Sequence, residues 1–125
     1  MEKRLVFTSS AEIVRVPADS VVYIAAEGNY SSLRLANGDV HLLSLQLGQI
    51  ERRISQMLEK DNHCFIRIGK SLIVNRNFIS YIHPQRQKLL LSDCFSFCHE
   101  VTASKEALKA LKDFLEKEES HEPQE

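Results

Sequence analysis

The sequence predicts a mainly β protein with two helices, built from small antiparallel sheets. Short apolar runs rich in β-branched residues recur between turn residues along most of the chain. Asn37-Gly38, the strongest short hairpin signal, separates two of these runs. Apolar residues at helical spacing occur only near the middle of the chain and near its C-terminus.

Residues 11–16 and 20–25 read as strands, with Pro17-Ala18-Asp19 as the turn between them. Residues 32–36 and 39–43 flank Asn37-Gly38 as a hairpin. From residue 45 to 60 the period changes. Leu47, Ile50, Ile54, Met57 and Leu58 recur at helical spacing, with Ser44 placed to cap the N-terminus. Strand patterns return at 64–68, 71–74 and 78–83, and Pro84-Gln85-Arg86-Gln87 turns the chain into a strand at 88–91. Residues 94–102 complete that pairing. A last helix begins near Ser104, where Ala107, Leu108, Leu111, Phe114 and Leu115 form one stripe. Residues 1–117 are therefore expected as one domain, and 118–125 as an acidic, disordered tail.

At 125 residues, with 43% hydrophobic and 26% charged content, the chain can build a core without disulfides or metal. No apolar run approaches membrane-spanning length, and MEKRLVF is followed by polar residues, so a cytoplasmic location is expected. Cys64, Cys94 and Cys98 cannot all pair within one chain, which suits a reducing compartment. The net charge of −1 hides an uneven distribution. Between Asn62 and Ser92 there is no acid, while Arg67, Lys70, Arg76, Arg86 and Lys88 all fall there. Glu116, Glu118, Glu119, Glu122 and Glu125 face only Lys117, so the last ten residues carry about −4. A basic body of this kind is the electrostatic footprint of phosphate-backbone binding, a solvated face being the alternative.

Gly69-Lys70-Ser71 matches the end of a nucleotide-binding P-loop, but the glycine required five positions earlier is Cys64. Strand-forming residues occupy both sides of the triplet, where a Gly-rich turn and a helix would be needed. Cys94-Phe95-Ser96-Phe97-Cys98-His99 suggests a metal site with His63, Cys64 or His83. An extended strand, however, separates Cys94 from Cys98 by about 13 Å, too far to share one zinc. Buried free thiols are expected instead. No spacing sets a nucleophile beside a base, so neither enzymatic activity, metal nor cofactor is expected.

The stretches YIAAEGNYSSLRLANGD, LLSLQLGQIERRI, CFIRIGKSLIVNRNFI and VTASKEAL together resemble the LytTR DNA-binding domain, the output module of many bacterial transcription regulators. The resemblance runs from about Val6 to about Leu115. Its most specific parts are Phe65-x-Arg67-x-x-x-Ser71-x-x-Val74-Asn75 and Gly28-Asn29-Tyr30. Where the family usually has a His-Arg or similar pair before the serine, this chain has Gly69-Lys70.

The resemblance implies an elongated, mainly β fold that lays loops into successive major grooves of double-stranded DNA. Members commonly bind paired direct repeats as dimers. Many also carry an N-terminal receiver domain. This sequence contains no such segment, so the expectation is a regulator controlled by a partner protein that supplies the input signal, or part of a longer chain. By matching position, Asn29, Lys70 and Lys105 are expected at base edges, and Tyr30, Ser71 and Ser104 at phosphates. Arg76 and Lys88 of the basic segment are expected at phosphates as well.

Several of these residues admit a second role. Asn29 either pairs with an adenine edge or accepts the positive φ of a turn after Gly28. Tyr30 offers a packed ring or a phosphate-facing hydroxyl, and the Ser71 hydroxyl binds phosphate or closes its own loop. Asn75 is expected to shape its turn, and Arg67 to brace the loop through a carboxylate such as Glu27. The alternative function is a protein-interaction module on the same scaffold; a metal- or nucleotide-binding protein is the third.

Overall fold

A computed structural model describes residues 3–59 and 64–119, and the chain divides into two compact units, Met1–Phe78 and Ile79–Glu125. In the first unit, β1 (Arg4–Thr8) pairs antiparallel with β2 (Ile13–Pro17). Leu5, Phe7, Val14 and Val16 alternate inward from this ribbon. The sequence pattern predicts no strand at β1. Its apolar signal is only two inward residues long, and β2 supplies the backbone partners that make it a strand.

Five more strands form one antiparallel sheet: β3 (Val21–Glu27), β4 (Tyr30–Leu35), β5 (Val40–Leu43), β6 (Phe65–Ile68) and β7 (Leu72–Asn75). Their spatial order is β5-β4-β3-β7-β6, so β3 is central. The expected hairpin at Asn37-Gly38 joins β4 to β5, with Gly38 at φ +98°. One face of the sheet contributes Ile24, Leu33, Leu43 and Ile73 to a core shared with Leu47, Ile50, Ile54 and Leu58 of α1 (Leu47–Leu58). That helix is capped at Gln46, not at Ser44. The Gln49 side chain turns back to accept the Gln46 N–H at 2.9 Å. One residue earlier, the Leu45 carbonyl accepts the buried Ser31 hydroxyl at 2.8 Å, which holds the chain outside the helix.

Asn75 closes β7 and is fully buried. Its Nδ2 donates to the Val21 carbonyl at 2.9 Å, and its Oδ1 accepts the Asn77 N–H at 3.0 Å. The expected turn-shaping role is therefore what this side chain performs, and it also ties β7 to the start of β3.

The second unit holds β8 (Ile79–His83), β9 (Lys88–Ser92) and β10 (Cys98–Thr102), an antiparallel sheet in the order β10-β9-β8. A 3-10 turn at Pro84–Arg86 links β8 to β9, and Gln87 takes a left-handed φ of 54° after it. Helix α2 (Lys105–Glu119) packs on β8 and on this turn. Leu108 and Leu111 are buried, whereas Phe114, expected in the apolar stripe, is 46% exposed. The helix continues past Lys117 to Glu119; residues 120–125 of the expected tail lie outside the described residues. No described helix is long and apolar enough to cross a membrane.

The strand expected at residues 94–102 begins only at Cys98. The Asp93 carboxylate captures the N–H groups of Phe95, Ser96 and Phe97 at 2.9, 2.8 and 3.1 Å, and also the Ser96 hydroxyl. Those amides are thereby lost to a strand ladder. Cys94 is left at φ +64°, and Cys94 and Cys98 are both exposed, not buried thiols as expected. Cys64 is half-buried, and burial followed by the charge of Asp19 raises its thiol pKa.

The Ser96 hydroxyl and then the three amides hold the Asp93 carboxyl well below the usual carboxylate range. A depressed folded pKa stabilises above the unfolded value, about 3.9, and is lost only as pH falls through the folded value. Amide-exchange protection of residues 95–97 is therefore expected to persist at pH 3 and to vanish in Asp93→Ala. Loss of protection at pH 4 in the wild type would contradict this loop assignment.

Candidate nucleic-acid interface

Two turns meet at one end of the five-stranded sheet. Gly28-Asn29 joins β3 to β4, across the Glu27–Tyr30 pair. Gly69-Lys70-Ser71 joins β6 to β7, across the Ile68–Leu72 pair. Leu72 pairs with Ala25, and the Ser71 carbonyl accepts the Ala26 N–H at 2.9 Å, so the second turn is fastened beside the first. Asn29, Lys70 and Ser71 are exposed there, with Tyr30 at 48%.

Local conformation explains why these side chains are available. Gly28 at φ +65° and Gly69 at φ +59° take the left-handed positions, which glycine occupies without strain. Asn29 does not take a positive φ, so the turn-forming alternative for its side chain falls away. A Cβ at Gly28 would meet nothing within 4 Å, leaving the backbone there open to close approach. The Ser71 carbonyl ties this turn to β3, and the Ser71 hydroxyl has no hydrogen bond among the described residues.

Beneath the second turn lies Arg67. Its Nε donates to the Gly69 carbonyl at 3.1 Å, Nη2 reaches the Lys70 carbonyl at 3.4 Å, and Nη1 meets Glu51 of α1 at 2.7 Å. Arg67 braces the loop as expected, but through Glu51 and not Glu27. As a half-exposed ion pair it adds little stability; its effect is to hold the loop backbone that carries Lys70. Among the described residues Lys70 has no ion pair of its own.

Arg76 leaves the other end of β7, roughly 16 Å from Ser71 at the usual strand rise. Its N–H donates to the Cys64 carbonyl at 2.7 Å, and its charge acts on the Cys64 thiol. The structure thus separates Arg76 from the Asn29–Lys70 cluster.

In the second unit, Lys88 sits 3.6 Å from Glu100 across the β9–β10 pair. Ser104 caps α2: its hydroxyl accepts the Ala107 N–H at 3.1 Å, and its carbonyl accepts the Leu108 N–H at 3.0 Å. Lys105 is the first helical residue and is exposed. The remaining first-turn N–H groups and Lys105 offer donors for an anion. Among the described residues no group of histidines, cysteines and carboxylates could hold a metal; His63 of the considered set lies outside them.

A search of curated proteins found no match. Among solved structures, the chain is similar to the LytTr DNA-binding domain of a Bacillus cereus protein described as a methyl-accepting/DNA response regulator. The two are 23% identical, with a TM-score of 0.64, over 92% of this chain and 98% of that one. At that identity the likeness shows the fold: small antiparallel sheets with two helices. The family model of the LytTr DNA-binding domain matches residues 11–116, which contain both turns and the start of α2. The chain therefore belongs to the LytTR DNA-binding domain family.

Proposed function

We propose that this chain binds double-stranded DNA sequence-specifically, by loops in successive major grooves, as the output domain of a bacterial transcription regulator in the cytoplasm. Asn29, Lys70 and Lys105 reach base edges, while Tyr30, Ser71 and Ser104 take phosphates and fix register. Arg76 and Lys88 contribute phosphate contacts outside the two-turn cluster. Residues 1–117 form the DNA-binding domain. It acts as a homodimer on paired direct repeats, under a regulatory partner protein.

The observation that carries this reading is the pair of adjacent turns, which exposes Asn29 and an unpaired Lys70 on a loop braced by Arg67. An amide side chain reads adenine and a cation reads guanine or phosphate, and neither has a structural task here. Lys70→Ala is expected to weaken binding to the preferred duplex by about 1 to 3 kcal/mol and binding to random duplex by much less. Its melting temperature should move by no more than a few degrees, since a loop lysine packs against little. Asn29→Ala and Lys105→Ala follow the same pattern, and Ser71→Ala loses less. Equal losses on both duplexes would move these residues from reading to positioning; no loss in any of the four would contradict the proposal.

A further inference from the structure

In the second unit a groove of about 580 Å³ runs between the Pro84–Arg86 turn and α2. That size lies within the roughly 300–1,000 Å³ of small-molecule sites. Its walls differ in chemistry. Ile82 and Pro84 supply an apolar side, and Lys105, Lys109 and Lys112 line the other. At positions i, i+4 and i+7 the three lysines share one helix face.

Two of these cations have no structural return. Lys112 is matched by Glu116 at 2.8 Å, an interaction that raises its pKa. Lys105 and Lys109 form no ion pair among the described residues, and Asp113 is the only acid in the lining. Lys105 stands in the first turn of α2, where the helix dipole opposes a positive charge. Lys109 stands one turn later, where the two like charges repel. An anion between them relieves both costs.

His83 also lines the groove, where its Nδ1 accepts the Arg86 N–H at 3.3 Å. A bare phosphodiester would gain nothing from Ile82 and Pro84, whereas a ligand with a flat apolar body would bury them. We propose that this groove is a binding site for an organic anion, a carboxylate or phosphate monoester on a flat apolar body. Its head group lies between Lys105 and Lys109, and its occupancy withdraws Lys105 from DNA. The last clause rests on the DNA-binding reading of Lys105; the site itself does not.

The test is a titration of the full chain, without DNA, by 1-naphthyl phosphate, 1-naphthoate and inorganic phosphate, followed in amide NMR spectra. Saturable shifts are expected at residues 82–85 and 105–113, with the better naphthyl probe about tenfold or more tighter than inorganic phosphate. The tighter of the two identifies the head group. Lys109→Ala should weaken the naphthyl probe about five- to tenfold, the loss of one exposed charge-assisted contact. Lys109→Arg should retain binding. Absence of saturation, equal affinity for inorganic phosphate, or an unchanged Lys109→Ala would overturn the site. Full probe occupancy with unchanged DNA affinity would overturn the link to Lys105. Because probe binding needs no DNA, its failure is distinct from a failure of the DNA-binding reading.

Discussion

Asn75→Ala is expected to lower the unfolding free energy by about 2–3 kcal/mol and the melting temperature by about 10 °C. The Asn75 amide satisfies the Val21 carbonyl at 2.9 Å, and both residues are fully buried. Truncation removes that donor from a place water does not reach, and an unsatisfied buried acceptor costs about 1–3 kcal/mol. The Asn77 N–H also loses its partner, but Asn77 is exposed and water replaces the bond. Asn75→Asp separates hydrogen bonding from shape. An ionised carboxylate cannot donate to Val21, so the aspartate must stay protonated and its folded pKa rises above the unfolded value. The variant should match wild type most closely below about pH 4 and lose stability as pH rises through the ordinary carboxylate value. A deficit independent of pH between 3 and 7, or a melting shift under 2 °C in the alanine variant, would contradict the role given to Asn75.

Much of this fold is legible from short-range signals. Asn37-Gly38 marks a hairpin because few other dipeptides accept its backbone, and the Leu47 to Leu58 periodicity marks a helix because one face must be apolar. Legibility fails where a distant residue decides. Whether Ser44 or Gln46 caps α1 depends on Ser31, whose hydroxyl takes the Leu45 carbonyl from a strand fourteen positions away. The expected strand at Cys94 loses to one side chain, Asp93, which offers three amides a nearer acceptor than the neighbouring strand. Its apolar and β-forming letters describe propensity, and local side-chain bonding overrides it.

The candidate interface shows the same division. Gly28 and Gly69 announce turns by composition, and the family pattern picks out Asn29, Tyr30, Lys70 and Ser71. That the turns are neighbours follows from the β3–β7 pairing, which joins segments far apart in sequence. Charge is the least legible property. The stretch from Asn62 to Ser92 lacks acids in sequence, yet Glu51 reaches Arg67 and Glu100 reaches Lys88 from outside it. A run of basic letters thus overstates the free cations, and which of them are paired shows only once those contacts are drawn.

Salt dependence separates DNA binding from protein binding on this scaffold. With Arg76 and Lys88 at phosphates, log affinity should fall against log salt with a slope of about −1.8 per chain, or about −3.6 for the dimer. Affinity of the dimer for random duplex then drops about 150-fold between about 50 and 200 mM. Base reading adds a preference that salt does not erase, on the order of a thousandfold for a specific site. The most direct measurement is the affinity of the purified chain for a duplex recovered by selection from random sequences, and for a scrambled duplex, across that salt range. Steep, nearly parallel slopes and a large, persistent gap in favour of the selected duplex are expected. Equal affinities at every salt, or affinities that salt does not change, would contradict sequence-specific DNA binding and leave the fold to a protein partner.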